Sequence, residues 1–235
     1  MTDPKQATRD LAARYAAAGD PNGWFDEFYA RADGDIHRVY WADLAPNPHL
    51  VAWLESHAPV GGRRAAVVGC GLGDDAEVLA RHGYHVTAFD ISAAAVGMCR
   101  ERYPDSSVRY VEGDLFDPPA DWRQGFDLVF ECNTIQILVD EARERSLPAI
   151  ADLVAPGGVV LVSCRGREAG EKEDAFPVPL DRREIGRFVT EAGLVERSFL
   201  AHDDTQDPPV PHFFAVYRRE PVTTTGAAPA RRRIA

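Results

Sequence analysis

The sequence has few cysteines, and they are widely spread. Cys70, Cys99, Cys132 and Cys164 include no close pair, so their spacing does not match a zinc site. Each lies in a stretch rich in apolar residues, which is typical of a reduced thiol in a protein core. The sequence therefore predicts buried free thiols and no bound metal.

Long apolar runs and an excess of basic residues are also absent. No stretch approaches the roughly 20 apolar residues of a membrane-spanning helix, and residues 1–10 lack the apolar centre of a signal peptide. The 37 acidic residues outnumber 26 basic ones, giving a net charge of −11, whereas a duplex nucleic-acid binder normally carries a basic face. We therefore expect a cytoplasmic protein without membrane or nucleic-acid partners. Nothing in the sequence indicates an oligomeric state.

The chain falls into three segments. Its 235 residues, 45% of them hydrophobic, suit one globular α/β domain with a full core. Residues 1–60 combine helical spacing of apolar residues with an aromatic-rich stretch, and residues 61–220 carry the main domain. Residues 221–235, which include the run Arg231-Arg232-Arg233, are predicted to be a disordered tail.

In the main domain, short runs rich in β-branched residues alternate with helical stretches. This alternation predicts a Rossmann-like, doubly wound and mostly parallel sheet of seven strands. The last two strands lack an intervening helix, so we expect them to pair in antiparallel fashion. The predicted strands are Ala65–Val68, His85–Phe89, Val108–Val111, Phe126–Glu131, Val159–Cys164, Val195–Leu200 and His212–Tyr217. The predicted helices are Asp74–His82, Ser92–Tyr103, Glu141–Leu153 and Asp181–Ala192.

A glycine-rich turn between the first strand and the first of these helices carries the strongest functional signal. Gly69, Gly71 and Gly73 alternate with Cys70 and Leu72. Glycine is needed where the backbone bends sharply and a ligand approaches it closely. A dinucleotide site places pyrophosphate at the following helix N-terminus, but here that position holds two carboxylates, Asp74 and Asp75, which would repel it. The loop therefore favours S-adenosylmethionine, which has no phosphate and carries a cationic sulfur, and disfavours a nicotinamide-dependent oxidoreductase.

Two carboxylates near the tips of the next strands extend this candidate site. Asp90 ends the second strand, where it could accept both ribose hydroxyls of an adenosine; each hydrogen bond to a charged group contributes roughly 1.5–3 kcal/mol. Asp114, after the third strand, could accept the adenine amino group while Leu115 covers the ring. A simple turn explains Gly113-Asp114 equally well, and Asp90 could be an exposed residue beside a helix cap.

With these landmarks in order, the chain resembles the class I S-adenosylmethionine-dependent methyltransferases. Within them it is most similar to the branch of thiopurine, thiol and halide methyltransferases. The resemblance covers about residues 23–220 and rests on Gly23-Trp24, Tyr40-Trp41-Ala42-Asp43, Val68-Gly69-Cys70-Gly71, Asp90-Ile91-Ser92, the segment from Phe126 to Glu131 and the segment from Phe176 to Leu180.

The resemblance implies that the N-terminal segment is a helical lid over the cofactor site. It also implies that Trp24 and Trp41 contact the cofactor, and an aromatic face near a sulfonium gains roughly 0.5–2 kcal/mol. One departure concerns the end of the fourth strand, where thiopurine methyltransferases have an arginine and this chain has Cys132. Arg165, at the end of the next strand, could replace that charge.

The reaction predicted from these residues is methyl transfer to a small molecule. Glu131 and Arg165 are the candidate catalytic residues, because both end strands that point towards the pocket. No acid–base pair is evident, which favours a thiol or another soft nucleophile as acceptor. Two alternatives stay open: an O- or N-methyltransferase of a small metabolite, with His202 or His212 as a possible base, and a module that binds S-adenosylmethionine without catalysis.

Overall fold

The computed structural model describes residues 4–57, 62–171 and 176–221. The predicted boundary at residue 60 and the predicted tail after residue 221 therefore lie outside the described residues. Within the described part of the chain, no helix is long and apolar enough to cross a membrane.

Seven strands form one sheet in the order β3-β2-β1-β4-β5-β7-β6. The first five strands run parallel to one another, and β7 is antiparallel to both β5 and β6. This arrangement confirms the predicted Rossmann-like α/β fold with an antiparallel last strand. The strands are β1 (Arg64–Val68), β2 (His85–Asp90), β3 (Arg109–Glu112), β4 (Phe126–Cys132), β5 (Val154–Arg165), β6 (Val195–Asp203) and β7 (Pro211–Arg218).

Helices cover both faces of the sheet. They are α1 (Pro4–Ala17), α2 (Trp24–Ala32), α3 (Pro48–Ser56), α4 (Asp74–Arg81), α5 (Ala93–Arg102), α6 (Asp140–Asp152), α7 (Arg182–Ile185) and α8 (Arg187–Thr190). Apolar residues of α3, α4 and α5, such as Leu54, Leu79 and Val96, pack on one face. Residues of α6 and α8, such as Ile150 and Phe188, pack on the other. The first two helices precede the sheet, as the lid prediction requires.

Three elements differ most from the sequence prediction. β6 continues to Asp203 rather than ending at Leu200. β5 begins at Val154 rather than Val159, because Val154 already pairs with Phe126 and the register then shifts before Leu128 pairs with Val159. The predicted helix Asp181–Ala192 is divided into α7 and α8 at Gly186, and glycine is a poor residue for a helix interior.

All five parallel strands end at the same edge of the sheet, which we call the carboxyl edge. β7 starts at this edge and β6 ends there, since Arg165 pairs with His212 and His212 pairs with His202. Ligands of open α/β sheets bind outside the carboxyl ends of the strands, beside the point where strand order reverses. Here that point lies between β1 and β4, directly above the glycine-rich turn.

Candidate active site

The backbone of the glycine-rich turn, which follows β1, has a conformation that residues other than glycine rarely adopt. Gly69, Gly71 and Gly73 have φ angles of 59°, 52° and 87°. A Cβ on Gly69 would lie 2.4 Å from Thr134 Oγ1, and one on Gly73 would lie 2.6 Å from the Tyr110 hydroxyl oxygen. Two of the three glycines are therefore required by backbone geometry and by close packing inside the protein.

Gly71 differs from the other two because it faces the N-terminal segment. A Cβ there would lie 3.3 Å from the Tyr29 hydroxyl oxygen of α2. Tyr29 itself is buried, and its hydroxyl accepts a hydrogen bond of 3.3 Å from Trp41 Nε1. Sequence reasoning did not identify Tyr29, since nothing in the local sequence indicates that it reaches a turn more than forty positions away.

The two carboxylates that begin α4 are each engaged by a partner. Asp74 forms an ion pair with Arg102, with a 2.5 Å distance from Oδ2 to the guanidinium. Asp75 is largely buried, and burial raises its pKa to about 6; its Oδ1 accepts a 2.7 Å hydrogen bond from the backbone N–H of Asn47. The helix N-terminus is thus already occupied by protein carboxylates, which leaves it unsuited to a diphosphate.

Asp90 lies at the tip of β2, directly beside the glycine-rich turn. One carboxylate oxygen accepts a 3.0 Å hydrogen bond from the Gly71 N–H, and the other accepts one of 3.0 Å from the Ser92 N–H. The residue is only 7% exposed, and this burial raises the pKa of Asp90 to about 6 although both N–H donors oppose the shift. A carboxylate oxygen has more than one acceptor position, so Asp90 retains capacity for ligand hydroxyls.

The structure places Asp114 and Leu115 at the neighbouring end of β3. Asp114 is exposed, and its Oδ1 accepts a 2.8 Å hydrogen bond from the backbone N–H of Phe116. Leu115 is half-buried and packs against the core. Gly113 N–H donates to the Asp90 carbonyl, so this turn and the tip of β2 lie side by side. Both the turn and the adenine-binding interpretations of Asp114 are compatible with this geometry.

Aromatic side chains of the N-terminal segment pack together beside the turn. We call this group the aromatic lid: Trp24, Phe25, Phe28, Tyr29, Tyr40 and Trp41. Trp41 stacks on Phe28 with ring centroids 3.8 Å apart, and Trp24 meets Trp41 edge-on at 6.3 Å. The structure therefore brings the two tryptophans together. Tyr29 links this group to the turn, because its hydroxyl accepts from Trp41 and lies next to Gly71.

A side chain of α2 fastens the aromatic lid to the sheet domain. Asp26 Oδ1 accepts 2.9 Å hydrogen bonds from Ser92 Oγ and from the backbone N–H of Ala94. These donors lie at the N-terminus of α5, where a negative charge is favourable. Since Ser92 is also the partner of Asp90, the lid and the predicted ribose-binding carboxylate share one helix start.

A second polar group lies where α3 begins. Asn47 caps α3 through hydrogen bonds from the backbone N–H groups of His49 and Leu50. Its side-chain amide donates to Ser163 Oγ at 2.9 Å and approaches Cys132 Sγ at 3.7 Å. The dipeptide Asn47-Pro48 is a recognisable helix start, but its contact with β4 and β5 is not visible in the sequence.

The predicted catalytic residue Glu131 is completely buried. Its Oε1 accepts hydrogen bonds of 2.6 Å and 3.0 Å from the backbone N–H groups of Thr134 and Ile135. Its Oε2 has no hydrogen-bond partner in the described part of the chain. Burial raises the pKa of Glu131 from 4.5 to about 7. This position supports a structural role, which is to fix the turn after β4, and its catalytic role stays a prediction.

The raised pKa of Glu131 predicts a specific pH dependence of stability. The folded state favours the protonated form, so this stabilisation is present below pH 4.5 and is lost as the pH rises through about 7. The loss amounts to roughly 3 kcal/mol. Glu131→Gln cannot ionise, and relative to wild type it should gain about this much unfolding free energy between pH 4.5 and 8.

Urea unfolding of wild type and Glu131→Gln at several pH values measures this difference. Glu55→Gln, on the exposed side of α3, is the matched control and should keep the wild-type pH slope. Asp75 and Asp90 also have raised pKa values, but they are present in all three proteins, so their contribution cancels. If the unfolding free energies of wild type and Glu131→Gln depended equally on pH, the raised pKa of Glu131 would be contradicted.

Arg165, the other predicted catalytic residue, ends β5 at the carboxyl edge. Its backbone N–H donates to Gln136 Oε1 at 2.7 Å. Its guanidinium has no hydrogen bond or ion pair with any residue that the structure describes. The structure thus separates the two candidates. Glu131 is enclosed beneath the turn, whereas Arg165 is half-buried and its guanidinium donors are unpaired among the described residues.

Taken together, the fold and the site define a Rossmann-like cofactor domain in which the N-terminal segment covers the glycine-rich turn. Comparisons with known proteins extend this class assignment. A family profile described as "Methyltransferase domain" matches residues 66–158, from β1 into β5. A ubiquinone biosynthesis O-methyltransferase of Burkholderia multivorans is 33% identical over 176 residues, which cover 68% of this chain and 75% of the relative.

Two further proteins show the range of similar sequences and folds. A cypemycin N-terminal methyltransferase of Streptomyces sp is 33% identical over 161 residues, or 66% of this chain. This chain spans only 64% of that relative's length. The crystal structure of Burkholderia thailandensis 1,6-didemethyltoxoflavin-N1-methyltransferase with bound S-adenosylhomocysteine has a TM-score of 0.63 at 16% identity, covering 94% of this chain and 92% of that one. That likeness concerns the fold.

The chain therefore belongs to the class I S-adenosylmethionine-dependent methyltransferases. This membership confirms S-adenosylmethionine as the cofactor predicted from the glycine-rich turn. The narrower resemblance to thiopurine and thiol methyltransferases is not confirmed, because the relatives are named as O-methyltransferases and as other methyltransferases.

Proposed function

We propose that this chain transfers a methyl group from S-adenosylmethionine to a small molecule at the carboxyl edge between β1 and β4. One observation carries the proposal. A buried carboxylate, Asp90, is hydrogen-bonded to the N–H of Gly71 in the adjacent glycine-rich turn. The bare backbone of the turn and the carboxylate that holds a sugar are therefore fixed next to each other.

The residues present fit this cofactor. Asp90 has acceptor capacity for the ribose hydroxyls, and Asp114 with Leu115 lies on the adjoining strand end for the adenine. The half-buried Trp41 is the tryptophan able to turn a ring face to a cationic sulfur. Trp24 is only 2% exposed and stacks on Phe25, so it supports Trp41 from behind. Gly69, Gly71 and Gly73 give the turn its bend.

When bound, S-adenosylmethionine supplies an electrophilic methyl group on a positively charged sulfur. The contribution of this chain is to align the acceptor with that group and to exclude water, and such orientation can lower a barrier by several kcal/mol. Asp26 supports this function because it fastens α2 to the start of α5. The aromatic lid is then held beside the turn, with Tyr40 as its exposed member.

The acceptor class is the finer part of the proposal. A thiol or another soft nucleophile is the class predicted from the sequence, since such an acceptor needs no strong base. A hydroxyl or amine is the second candidate, and one observation favours it. His49 and His202 meet with their Nε2 atoms 2.9 Å apart near the carboxyl edge, which gives the chain a group able to take up a proton.

Calorimetry followed by a turnover assay tests the proposal. The purified chain is expected to bind S-adenosylmethionine and not to bind NAD⁺, which carries a diphosphate. It is then incubated with thiophenol, phenol and aniline as representatives of the three acceptor classes, and S-adenosylhomocysteine is measured. Turnover of phenol or aniline without thiophenol would remove the thiol candidate. Tight cofactor binding without product for any acceptor in wider panels would favour the non-catalytic module.

A further inference from the structure

A row of basic side chains crosses the carboxyl edge on the face covered by α3. Arg165 of β5 lies opposite His212 of β7, and His212 lies opposite His202 of β6. Side chains directly opposite each other in an antiparallel pair point to the same face. His49 of α3 completes the group, because its Nε2 lies 2.9 Å from His202 Nε2. We call Arg165, His212, His202 and His49 the basic row.

Little negative charge from residues 4–57, 62–171 and 176–221 faces the basic row. The charged and titratable groups that these residues place there are His49 from α3, Arg165 from β5, His212 from β7, and His202 with Asp203 and Asp204 from β6. Asp204 lies 4.0 Å from His212 Nδ1. Its oxygens already accept hydrogen bonds from Gln206 and from the backbone N–H of Val210.

Hydrogen-bonding capacity within the basic row is left unused. The Arg165 guanidinium has no partner among residues that the structure describes. His202 Nδ1 is buried and has no hydrogen-bond partner in the same described residues. A buried polar atom without a partner costs about 1–3 kcal/mol, so His202 gains from a ligand that supplies an acceptor. The half-buried Arg165 guanidinium offers further donors to the same ligand. In a chain of net charge −11, none of the described acidic residues pairs with this cation beside the proposed reaction site.

The position of the basic row relates it to the methyl acceptor. Asn133, directly after β4, donates its backbone N–H to the Ser163 carbonyl of β5, and Arg165 lies two residues beyond Ser163. The row therefore adjoins the strand ends over which the acceptor is proposed to lie. Arginine suits an anion here because its planar guanidinium binds a carboxylate through two parallel hydrogen bonds.

We infer that the basic row binds a carboxylate of the methyl acceptor, so that the substrate class is a small organic acid. This inference rests on the proposed function, because it assigns the ligand of the row to the same site. Arg165 holds the carboxylate, and the unpartnered Nδ1 of His202 donates a further hydrogen bond to it. His212 uses its Nδ1–H for the Val210 carbonyl and adds a donor at Nε2 when it is protonated. The acceptor's nucleophilic atom is left free to face the cofactor.

Benzoate is a suitable probe, with benzamide as its neutral counterpart. The full chain is labelled with ¹³C in its histidine rings, saturated with S-adenosylhomocysteine and titrated with each compound, while NMR follows the imidazole signals. Benzoate is expected to shift the signals of His202 and His212 saturably, and benzamide is not. The inference would be overturned if benzoate left the chemical shifts of these imidazoles unchanged, or if benzamide changed them equally.

A matched pair of variants locates the effect. Arg165→Gln is expected to weaken benzoate binding about tenfold, as the loss of a charge-assisted contact implies. Arg197→Gln changes an exposed residue near the start of β6, away from the carboxyl edge, and is expected to leave benzoate binding unchanged. Equal affinities in Arg165→Gln and wild type would contradict the assignment even if benzoate binds, because binding would then occur elsewhere.

A turnover comparison connects the row with catalysis. Thiosalicylate, salicylate and anthranilate carry the carboxylate that thiophenol, phenol and aniline lack, and at least one acid is expected to exceed its neutral counterpart by about tenfold in kcat/KM. This advantage should disappear in Arg165→Gln. If the chain binds S-adenosylmethionine but not benzoate, only this inference fails. If it does not bind S-adenosylmethionine, the proposed function fails first and the inference fails with it.

Discussion

Replacing Asp90 with asparagine is expected to weaken S-adenosylmethionine binding by about 10- to 100-fold. The variant keeps one acceptor oxygen but loses the charge that strengthens hydrogen bonds from the ribose hydroxyls. Its amide nitrogen must also face the N–H of either Gly71 or Ser92, since each carboxylate oxygen accepts one of them. Calorimetric titration of wild type and variant measures the change.

Two controls separate this effect from loss of folding. Thermal unfolding without cofactor shows whether Asp90→Asn is folded at the titration temperature, and Asp33→Asn tests the same substitution at an exposed helix end of the N-terminal segment. Asp33→Asn should bind as wild type does. If a folded Asp90→Asn variant bound S-adenosylmethionine as tightly as wild type does, the assignment of Asp90 to the ribose would be wrong.

The pH dependence of cofactor binding provides an independent check on the same residue. Burial raises the pKa of Asp90 to about 6, and protonation removes its charge and turns one of its oxygens into an O–H donor. Wild-type affinity should therefore fall as the pH decreases from 7.5 through 6. The same titration series in Asp90→Asn should lack that decrease, because its side chain does not titrate in this range.

The secondary structure was predicted best where the local residue pattern alone determines the element. β-branched runs separated by helical stretches were enough to predict all seven strands, and Ser92 caps α5 as expected, with its Oγ accepting from the Ala95 N–H. The error at β5 has a physical cause. Ala155-Pro156-Gly157-Gly158 has the composition of a turn, and Gly157 does have a φ of 84°. The segment nevertheless stays within the sheet as an irregularity, because Val154 pairs with Phe126 and the Gly157 N–H donates to the Arg219 carbonyl.

The candidate site could be predicted only where its residues are close in sequence. The glycine-rich turn and Asp90 belong to one βαβ unit, so their spacing was visible. Tyr29 at Gly71, and His49 at His202, are contacts between distant segments. No periodicity encodes such contacts, and they depend on how α2 and α3 pack on the finished sheet. The burial of Glu131 was missed for a different reason: its carboxylate is held by the backbone N–H groups of Thr134 and Ile135 in the turn after β4, which a position at a strand end does not reveal.

Gly69→Ala is expected to destabilise the protein by about 2–5 kcal/mol. Alanine at a φ of 59° costs about 1–2 kcal/mol in backbone strain. Its Cβ would also lie 2.4 Å from Thr134 Oγ1 and 3.1 Å from Thr134 Cγ2, and crowding of this kind adds roughly 1–3 kcal/mol. Urea unfolding measures the sum.

A control glycine and a double-mutant cycle separate strain from crowding. Gly193 has a φ of 68° with no atom within 4 Å of its would-be Cβ, so Gly193→Ala should show only the strain, about 1–2 kcal/mol. Thr134→Ala removes both crowding atoms but loses the 3.2 Å hydrogen bond to the Val68 carbonyl. The clash is present in Gly69→Ala but absent from the double variant Gly69→Ala/Thr134→Ala. The double variant should therefore be more stable than the sum of the single changes predicts, by about 1–2 kcal/mol. Additive effects would mean that Thr134 does not press on the turn, and that the bend of the backbone alone requires glycine there.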